Sequence, residues 1–161
     1  MSLSDYSSME KEINDAPEPH VLPRGKEAKV RIVRVQPGIS DKAGSEGARW
    51  FMPYFDCPDD PLVKEFNTFL DDPLTLDRIA DPKRKARALA TFKLFAKCFK
   101  IDLSKPFSWE DDLPGKEGWI IPGILVNDQY GEKNTISKFV TGPAGAGTSA
   151  AGSLLDDDIP F

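Results

Sequence analysis

The chain has 161 residues, a formal net charge of -5 at pH 7 and 40% hydrophobic residues. That length favours one domain with flanking segments, and ten Phe residues can supply a buried core. The two cysteines, Cys57 and Cys98, form no CxxC pattern, which argues against a disulfide framework or a zinc site. No apolar run approaches the ~20 residues that span a bilayer. The composition therefore predicts a cytoplasmic protein with no membrane partner.

The charges are distributed unevenly along the chain. Residues 1–23 have a net charge of -4, and residues 141–161, whose only charged side chains are three Asp, have a net charge of -3. The segment between them, residues 24–140, is therefore +2. A mildly basic body between acidic ends often accompanies nucleic-acid binding, although many enzymes share such a charge.

The first part of the chain predicts a leader and two strands. Residues 1–23 are polar and acidic with three prolines, so we expect a flexible leader. Apolar and polar residues alternate over residues 26–36, which predicts a strand. Residues 49–56 (RWFMPYFD) predict a second strand, in which Pro53 indicates a sheet edge or a bulge because proline cannot donate to a ladder.

A helical insertion is predicted at about residues 61–100. Three apolar residues at helical spacing predict a short helix over residues 62–70, and four recurring apolar positions predict a longer one over residues 83–100. The pairs Asp72-Pro73 and Asp81-Pro82 are typical of an N-cap followed by the first helical residue.

The last strands predict a hairpin, formed by residues 118–127 and 134–140. The order is then strand, strand, helical insertion and hairpin. This order predicts a mainly β fold with a helical insertion, which we expect to be a small antiparallel barrel of the OB type over residues 24–141. A general α+β sandwich is the alternative.

The end of the chain differs from the body. Residues 142–153 (GPAGAGTSAAGS) have no charge and no large side chain, which predicts a flexible linker. Residues 154–161 (LLDDDIPF) place apolar Ile159 and Phe161 behind three Asp, and Phe161 carries the terminal carboxylate. A partner pocket that is apolar and edged by Arg or Lys would bind ring and carboxylate together. The alternative is a tail that is only solvated.

The tip resembles the acidic C-terminal tip of the bacterial single-stranded DNA-binding proteins, which follows a Gly-rich linker and recruits replication, recombination and repair proteins. The residues that carry the resemblance are Asp156, Asp157, Asp158, Ile159, Pro160 and Phe161. The body resembles instead the divergent OB-fold single-stranded DNA-binding proteins of phages. The resemblance implies a phage protein that binds single-stranded DNA without sequence preference, in the cytoplasm of a bacterial or infected host cell. It leaves a homo-oligomer open.

Basic and aromatic residues interleave on the predicted strands, as a groove that stacks bases and neutralises phosphates requires. The candidate DNA-binding residues are Lys29, Arg31, Arg34, Arg49, Trp50, Phe51, Tyr54, Phe55, Trp119, Tyr130, Lys133 and Lys138. Strand alternation separates Trp50 and Tyr54 from Arg49, Phe51 and Phe55. Because Arg49 indicates the open face, we expect Phe51 and Phe55 to stack bases and Trp50 and Tyr54 to lie in the core or at its rim. A bulge at Pro53 would reverse the two faces. Core packing is the alternative for each ring.

The predicted helix over residues 83–100 carries seven basic residues and no acidic residue. Three interpretations stay open for it: an ordinary solvated face, contacts with the DNA backbone, or a surface that receives the acidic tip.

Enzyme chemistry has little support in the sequence. The single histidine, His20, lies in the predicted leader, which argues against a His-based triad or metal site. No phosphate-cradling GxxxxGK[ST] or GxGxxG motif occurs. We therefore expect no enzyme activity, no cofactor and no metal. The rival to DNA binding is an adaptor or decoy that copies the tip without binding DNA.

Overall fold

The structure is a computed structural model and describes residues 2–129 and 131–141. The predicted linker, the predicted tip and Tyr130 lie outside the described residues.

The fold is mainly β, as predicted, and its strands form one antiparallel sheet. The strands are β1 (Ala28–Ile39), β2 (Arg49–Asp56), β3 (Phe66–Asn67), β4 (Leu70–Asp71), β5 (Glu117–Asn127) and β6 (Gly131–Val140). Their order in the sheet is β3-β2-β1-β5-β6, and β4 also pairs with β2. The predicted hairpin is confirmed as β5 and β6.

A closed barrel of the OB type is not confirmed. Residues of β3 and β6, the two ends of the sheet, approach within 8 Å between Cα atoms, but no ladder joins these strands among the described residues. The sheet curls because β1 shifts register between Ile32 and Arg34, and β5 shifts between Ile121 and Pro122. With only two residues, β3 offers too few backbone groups to close the sheet on β6.

The helices bear out one prediction and contradict another. The long predicted helix is confirmed as α2 (Pro82–Cys98), which follows a one-turn helix, α1 (Glu10–Asn14), in the leader. The carboxylate of Asp81 accepts a hydrogen bond from the Lys83 backbone at 2.9 Å, as an N-cap should. Asp72 caps a 3-10 helix, Pro73–Arg78, in the same way.

The short helix predicted over residues 62–70 is wrong. Residues 62–65 have no regular structure beyond a single bridge, and the rest of this stretch forms β3 and β4 on the outer side of β2. Val63, Phe66 and Leu70 are all buried, so their spacing marked core positions correctly. Pairing with β2 overrode the helical pattern, and Pro53, which lacks an N–H, lies where that pairing breaks into two short ladders.

The core lies between the inner face of the sheet and α2. Phe95 of α2 and Phe99, the residue that follows the helix, pack against one another with their rings tilted, and Phe99 also packs on Phe55 of β2 and Phe139 of β6. Each is at most 5% exposed. Burying one such side chain stabilises the fold by about 1.5–3 kcal/mol, so α2 is held by its apolar side, while most of its basic residues stay exposed.

The end of the predicted leader belongs to the body. His20 forms a bridge with Val63, and its ring nitrogen Nε2 lies 2.7 Å from the Asp60 carboxylate. Leu22 is buried, and its backbone N–H donates to the Asn134 side chain at 2.6 Å. The body therefore begins near residue 20 rather than at residue 24.

Candidate nucleic-acid interface

The two faces of β2 are the reverse of those predicted. Burial alternates along the strand without interruption, and the side chains of Phe51, Pro53 and Phe55 point into the core. Phe51 is 2% exposed and Phe55 is fully buried, so neither ring can stack a base. The assignment of Phe51 and Phe55 to DNA stacking is therefore wrong, and their alternative role as core residues is correct.

The prediction took Arg49 as a marker of the solvent-facing side of β2, and this inference failed. Arg49 is the first residue of β2, at an end of the strand where the inner face opens to solvent. Its guanidinium Nε lies 3.7 Å from the buried carboxylate of Asp72, and the group also lies 5.3 Å from the Phe51 ring centre. A charged residue at the end of a strand can share the inner face without being buried. Its charge therefore says little about the rest of the strand.

The outer face of β2 carries Trp50, Met52 and Tyr54, which are all half-buried. Trp50 lies opposite Gly38 of β1, and its ring atoms occupy the place where a side chain of Gly38 would stand, 2.0 Å from an ideal Cβ position. The ring therefore lies across the backbone of β1. Tyr54 lies beside Arg34, whose guanidinium is 4.0 Å from the centre of the Tyr54 ring.

Phe69 is an exposed aromatic residue that the sequence prediction missed, because it fell inside the wrongly predicted helix. Its side chain is 46% exposed, and its ring centre lies 5.6 Å from that of Trp50. Phe69 also lines a hollow of about 240 Å³ whose other walls include Arg84 and Arg87 of α2. The rings of Trp50 and Phe69 thus lead to Arg84 and Arg87, near the beginning of α2.

The predicted cations of β1 and β2 all lie near acidic partners. Arg31 forms a two-pronged ion pair with Asp56, with nitrogen–oxygen distances of 3.1 and 2.6 Å. Its hydrogen bonds to that carboxylate raise the pKa of Arg31. The remaining pairs are Arg34 with Glu65 at 2.5 Å, Lys29 with Asp59 and Glu117 at 3.9 Å each, and Arg49 with Asp72 at 3.7 Å. A paired cation is a weaker phosphate ligand, because binding DNA must compete with its carboxylate.

The cations of α2 are different. Within the described residues only Arg84 has an acidic partner, Asp71, at 2.8 Å, and its hydrogen bond to that carboxylate raises the pKa of Arg84. The other basic residues of this stretch form no ion pair with a described residue; they are Lys83, Lys85, Arg87, Lys93, Lys97 and Lys100. Arg87 lines the hollow beside Phe69, and Lys83 lies one turn before it on the surface of the helix; we call these two residues the basic side of α2.

The hairpin contributes less than predicted to a shared surface. Trp119 is half-buried and lies opposite Lys29 in the ladder between β1 and β5. Lys133 is exposed near the turn of the hairpin, opposite Leu125, and Lys138 lies opposite Ile121. Tyr130 lies outside the described residues. Trp119 is therefore close to the outer-face cations, while Lys133 is near the far end of the hairpin.

Comparisons with known protein families and with curated proteins find no match to this chain. Among the described residues, no helix is long and apolar enough to cross a membrane. Likewise, no group of three or more His, Cys, Asp or Glu side chains in residues 2–129 and 131–141 is arranged to hold a metal ion.

Proposed function

We propose that this protein binds single-stranded DNA without sequence preference, and that its C-terminal tip recruits replication, recombination and repair proteins. The binding surface that we propose consists of Trp50, Phe69 and the basic side of α2. The observation that carries the proposal is the exposed ring of Phe69, which lies against Trp50 and borders the same hollow as Arg84 and Arg87.

The aromatic part of this surface suits stacking with bases. A Phe ring that is 46% exposed leaves apolar area in water, and a stacked base would cover that area. Stacking on a protein ring contributes ~1–3 kcal/mol per base and accepts every base, because each base has a π face. This supports binding that is tolerant of sequence.

The basic part of the surface suits phosphates. Helix α2 contains six basic residues and no acidic residue. Four of these lie in its first six residues, close to the positive end of the helix dipole, where each cation costs ~0.3–1 kcal/mol. An anion bound at this end of the helix would offset that cost, because it is favoured by the dipole and by the cations together. Because the cations of β1 and β2 are paired with carboxylates, we infer that the phosphates lie along α2 rather than across these two strands.

The recruiting role rests on the sequence of the tip, which lies outside the described residues. Three aspartates followed by Ile159, Pro160 and Phe161 combine an apolar anchor with negative charge. The proposed function belongs to the cytoplasm of a bacterial or phage-infected cell, where single-stranded DNA is an intermediate of replication and repair.

Fluorescence anisotropy of labelled oligo-dT with the full chain tests the DNA-binding part. The Phe69→Ala change should weaken binding roughly 5- to 150-fold, which corresponds to ~1–3 kcal/mol of lost stacking, without loss of secondary structure in circular dichroism. The Arg87→Gln change should make the slope of log affinity against log salt less steep by ~0.7, because one phosphate contact is lost. Lys64→Gln is the matched control, since Lys64 is exposed, unpaired among the described residues and distant in sequence from α2.

If the wild-type chain does not bind oligo-dT at low salt, the proposal is contradicted and the adaptor or decoy is favoured.

A separate experiment tests the tip. It compares the proteins that bind to a peptide of residues 154–161 with those that bind to the same peptide without Phe161. Loss of this one residue removes ring and carboxylate together, so affinity for the captured proteins should fall more than tenfold. The full chain ending at Pro160 should keep its affinity for oligo-dT.

A further inference from the structure

The two ends of the sheet, β3 and β6, lie beside each other without a ladder between them among the described residues. We call this gap the seam. The chain just before β1 forms hydrogen bonds to both sides of the seam, and we call these residues, 20–25, the strap. The strap therefore connects two parts of the sheet that do not pair with each other.

On one side of the seam, the strap binds the residues that lead into β3. The N–H of His20 donates to the C=O of Leu62 at 2.9 Å, and the C=O of His20 accepts from the N–H of Lys64 at 2.8 Å. These two bonds form the parallel bridge between His20 and Val63. The ring of His20 adds a third contact, because its Nε2 lies 2.7 Å from the Asp60 carboxylate. His20 thus attaches the strap to the β3 side.

On the other side of the seam, the strap binds the hairpin of β5 and β6. The side-chain amide of Asn134 accepts from the N–H of Leu22 at 2.6 Å and donates to the C=O of Leu22 at 3.0 Å. Asn134 therefore satisfies both backbone groups of Leu22, as a neighbouring strand would. The N–H of Gly25 donates to the C=O of Pro122 in β5 at 3.0 Å. The strap is therefore held at both sides of the seam.

The strap has little buried surface of its own. Leu22 is its one buried residue, Val21 is half-buried, and the others are exposed. Residues 2–19, which precede it, are exposed, and their hydrogen bonds join residues within that stretch. At its other end Gly25 has a φ of +80°, which glycine adopts without strain in a turn. Segments with few buried apolar contacts and exposed backbone hydrogen bonds open at a lower free energy than the core.

We propose that the strap is a releasable closure of the seam, which detaches as one unit while the sheet and α2 stay folded. Asn134 is 1% exposed when the strap is in place. Release removes two of its hydrogen bonds, and a buried amide left without them is costly unless water reaches it. Release of the strap and hydration of the seam are therefore one event. This device does not depend on the proposed DNA binding.

Hydrogen exchange of the full chain without DNA, followed by NMR in urea below the unfolding transition, tests the proposal. The amide of Ile32, fully buried in β1, reports on the sheet. The amides that report on the strap are those of His20, Leu22, Gly25 and Lys64. These four should share one protection level, at least tenfold below that of Ile32, and should respond little to urea, because a small opening exposes little surface. If they match Ile32 in protection and in urea dependence, or open independently of one another, the proposal is overturned.

A variant that holds the strap open gives the second test. Leu22→Asp places a charge at the one buried side chain of the strap, so the amides of Gly25 and Lys64 should lose protection more than tenfold. The Ile32 amide should stay protected, and circular dichroism should retain the sheet and the helix. Leu113→Asp is the matched control, because Leu113 is fully buried in the same core cluster but lies outside the strap, and it should unfold the chain. If Leu22→Asp unfolds the chain as Leu113→Asp does, or leaves Gly25 and Lys64 protected, the strap is not a releasable unit.

Discussion

Because Trp50 lies over Gly38, the effect of Gly38→Ala on the stability of the fold should change sign when the Trp50 ring is removed. The Gly38→Ala change would put a Cβ 2.0 Å from Trp50 Cζ2, where ordinary contacts are 3.4–4 Å. The ring must therefore withdraw by roughly 1.4 Å from the outer face of the sheet or force β1 away, and overpacking of this kind costs ~1–3 kcal/mol. In the Trp50→Ala background that clash is absent. Gly38 has no positive φ, so there the same change should stabilise the fold by ~0.4–1 kcal/mol through the unfolded chain.

Urea denaturation of the wild type, both single variants and the double variant measures this coupling directly. Gly38→Ala alone should lower the free energy of unfolding below that of the wild type. The double variant should have a higher free energy of unfolding than Trp50→Ala alone. Affinity for oligo-dT should also fall in Gly38→Ala, because the displaced ring no longer lies beside Phe69. If Gly38→Ala is equally costly with and without the Trp50 ring, the reasoning about the outer face is refuted.

Two further predictions concern the body. Asn134→Ala removes the side chain that bonds both the N–H and the C=O of buried Leu22. Leaving these two groups unpaired should lower the free energy of unfolding in urea by at least ~2 kcal/mol. Asn14→Ala changes an exposed residue of α1 and should cost little, and equal losses in the two variants would contradict the role of Asn134. Burial raises the pKa of the Cys98 thiol to about 12, so its thiolate at pH 8.5 is roughly a thousandfold scarcer than normal. Peptide mass spectrometry should find Cys98 unlabelled by iodoacetamide in the folded chain and labelled in urea, and rapid labelling of the folded chain would disprove the burial.

Local signals in the sequence predicted the parts of the fold that depend on neighbouring residues. The helix α2 follows from its Asp81 cap, Pro82 and the spacing of Phe95 and Phe99, all of which act within a few turns. The strands β1, β2, β5 and β6 follow from alternation and from the turns between them. Their exact ends differ because β1 continues through Pro37 and Gly38, which pair with Phe51 and Trp50.

Features that depend on contacts between distant residues were not predictable in the same way. The stretch from Val63 to Leu70 has a helical spacing of apolar residues, and only its contact with β2 turns it into two short strands. The faces of β2 were inverted because Arg49 reaches Asp72, which is distant in sequence. Phe69 was missed for the same reason, and the pairing of the sheet cations with Asp56, Asp59 and Glu65 also arises only in the folded chain.

The central claim is that the basic side of α2 holds the phosphates of single-stranded DNA. The most direct measurement compares the salt dependence of oligo-dT binding for the wild type and for a variant with Lys83 and Arg87 both changed to Gln. If each of the two neutralises one phosphate, the slope of log affinity against log salt should become less steep by ~1.4 in the variant. An unchanged slope, with affinity retained, would place the phosphates elsewhere on the protein and contradict the account.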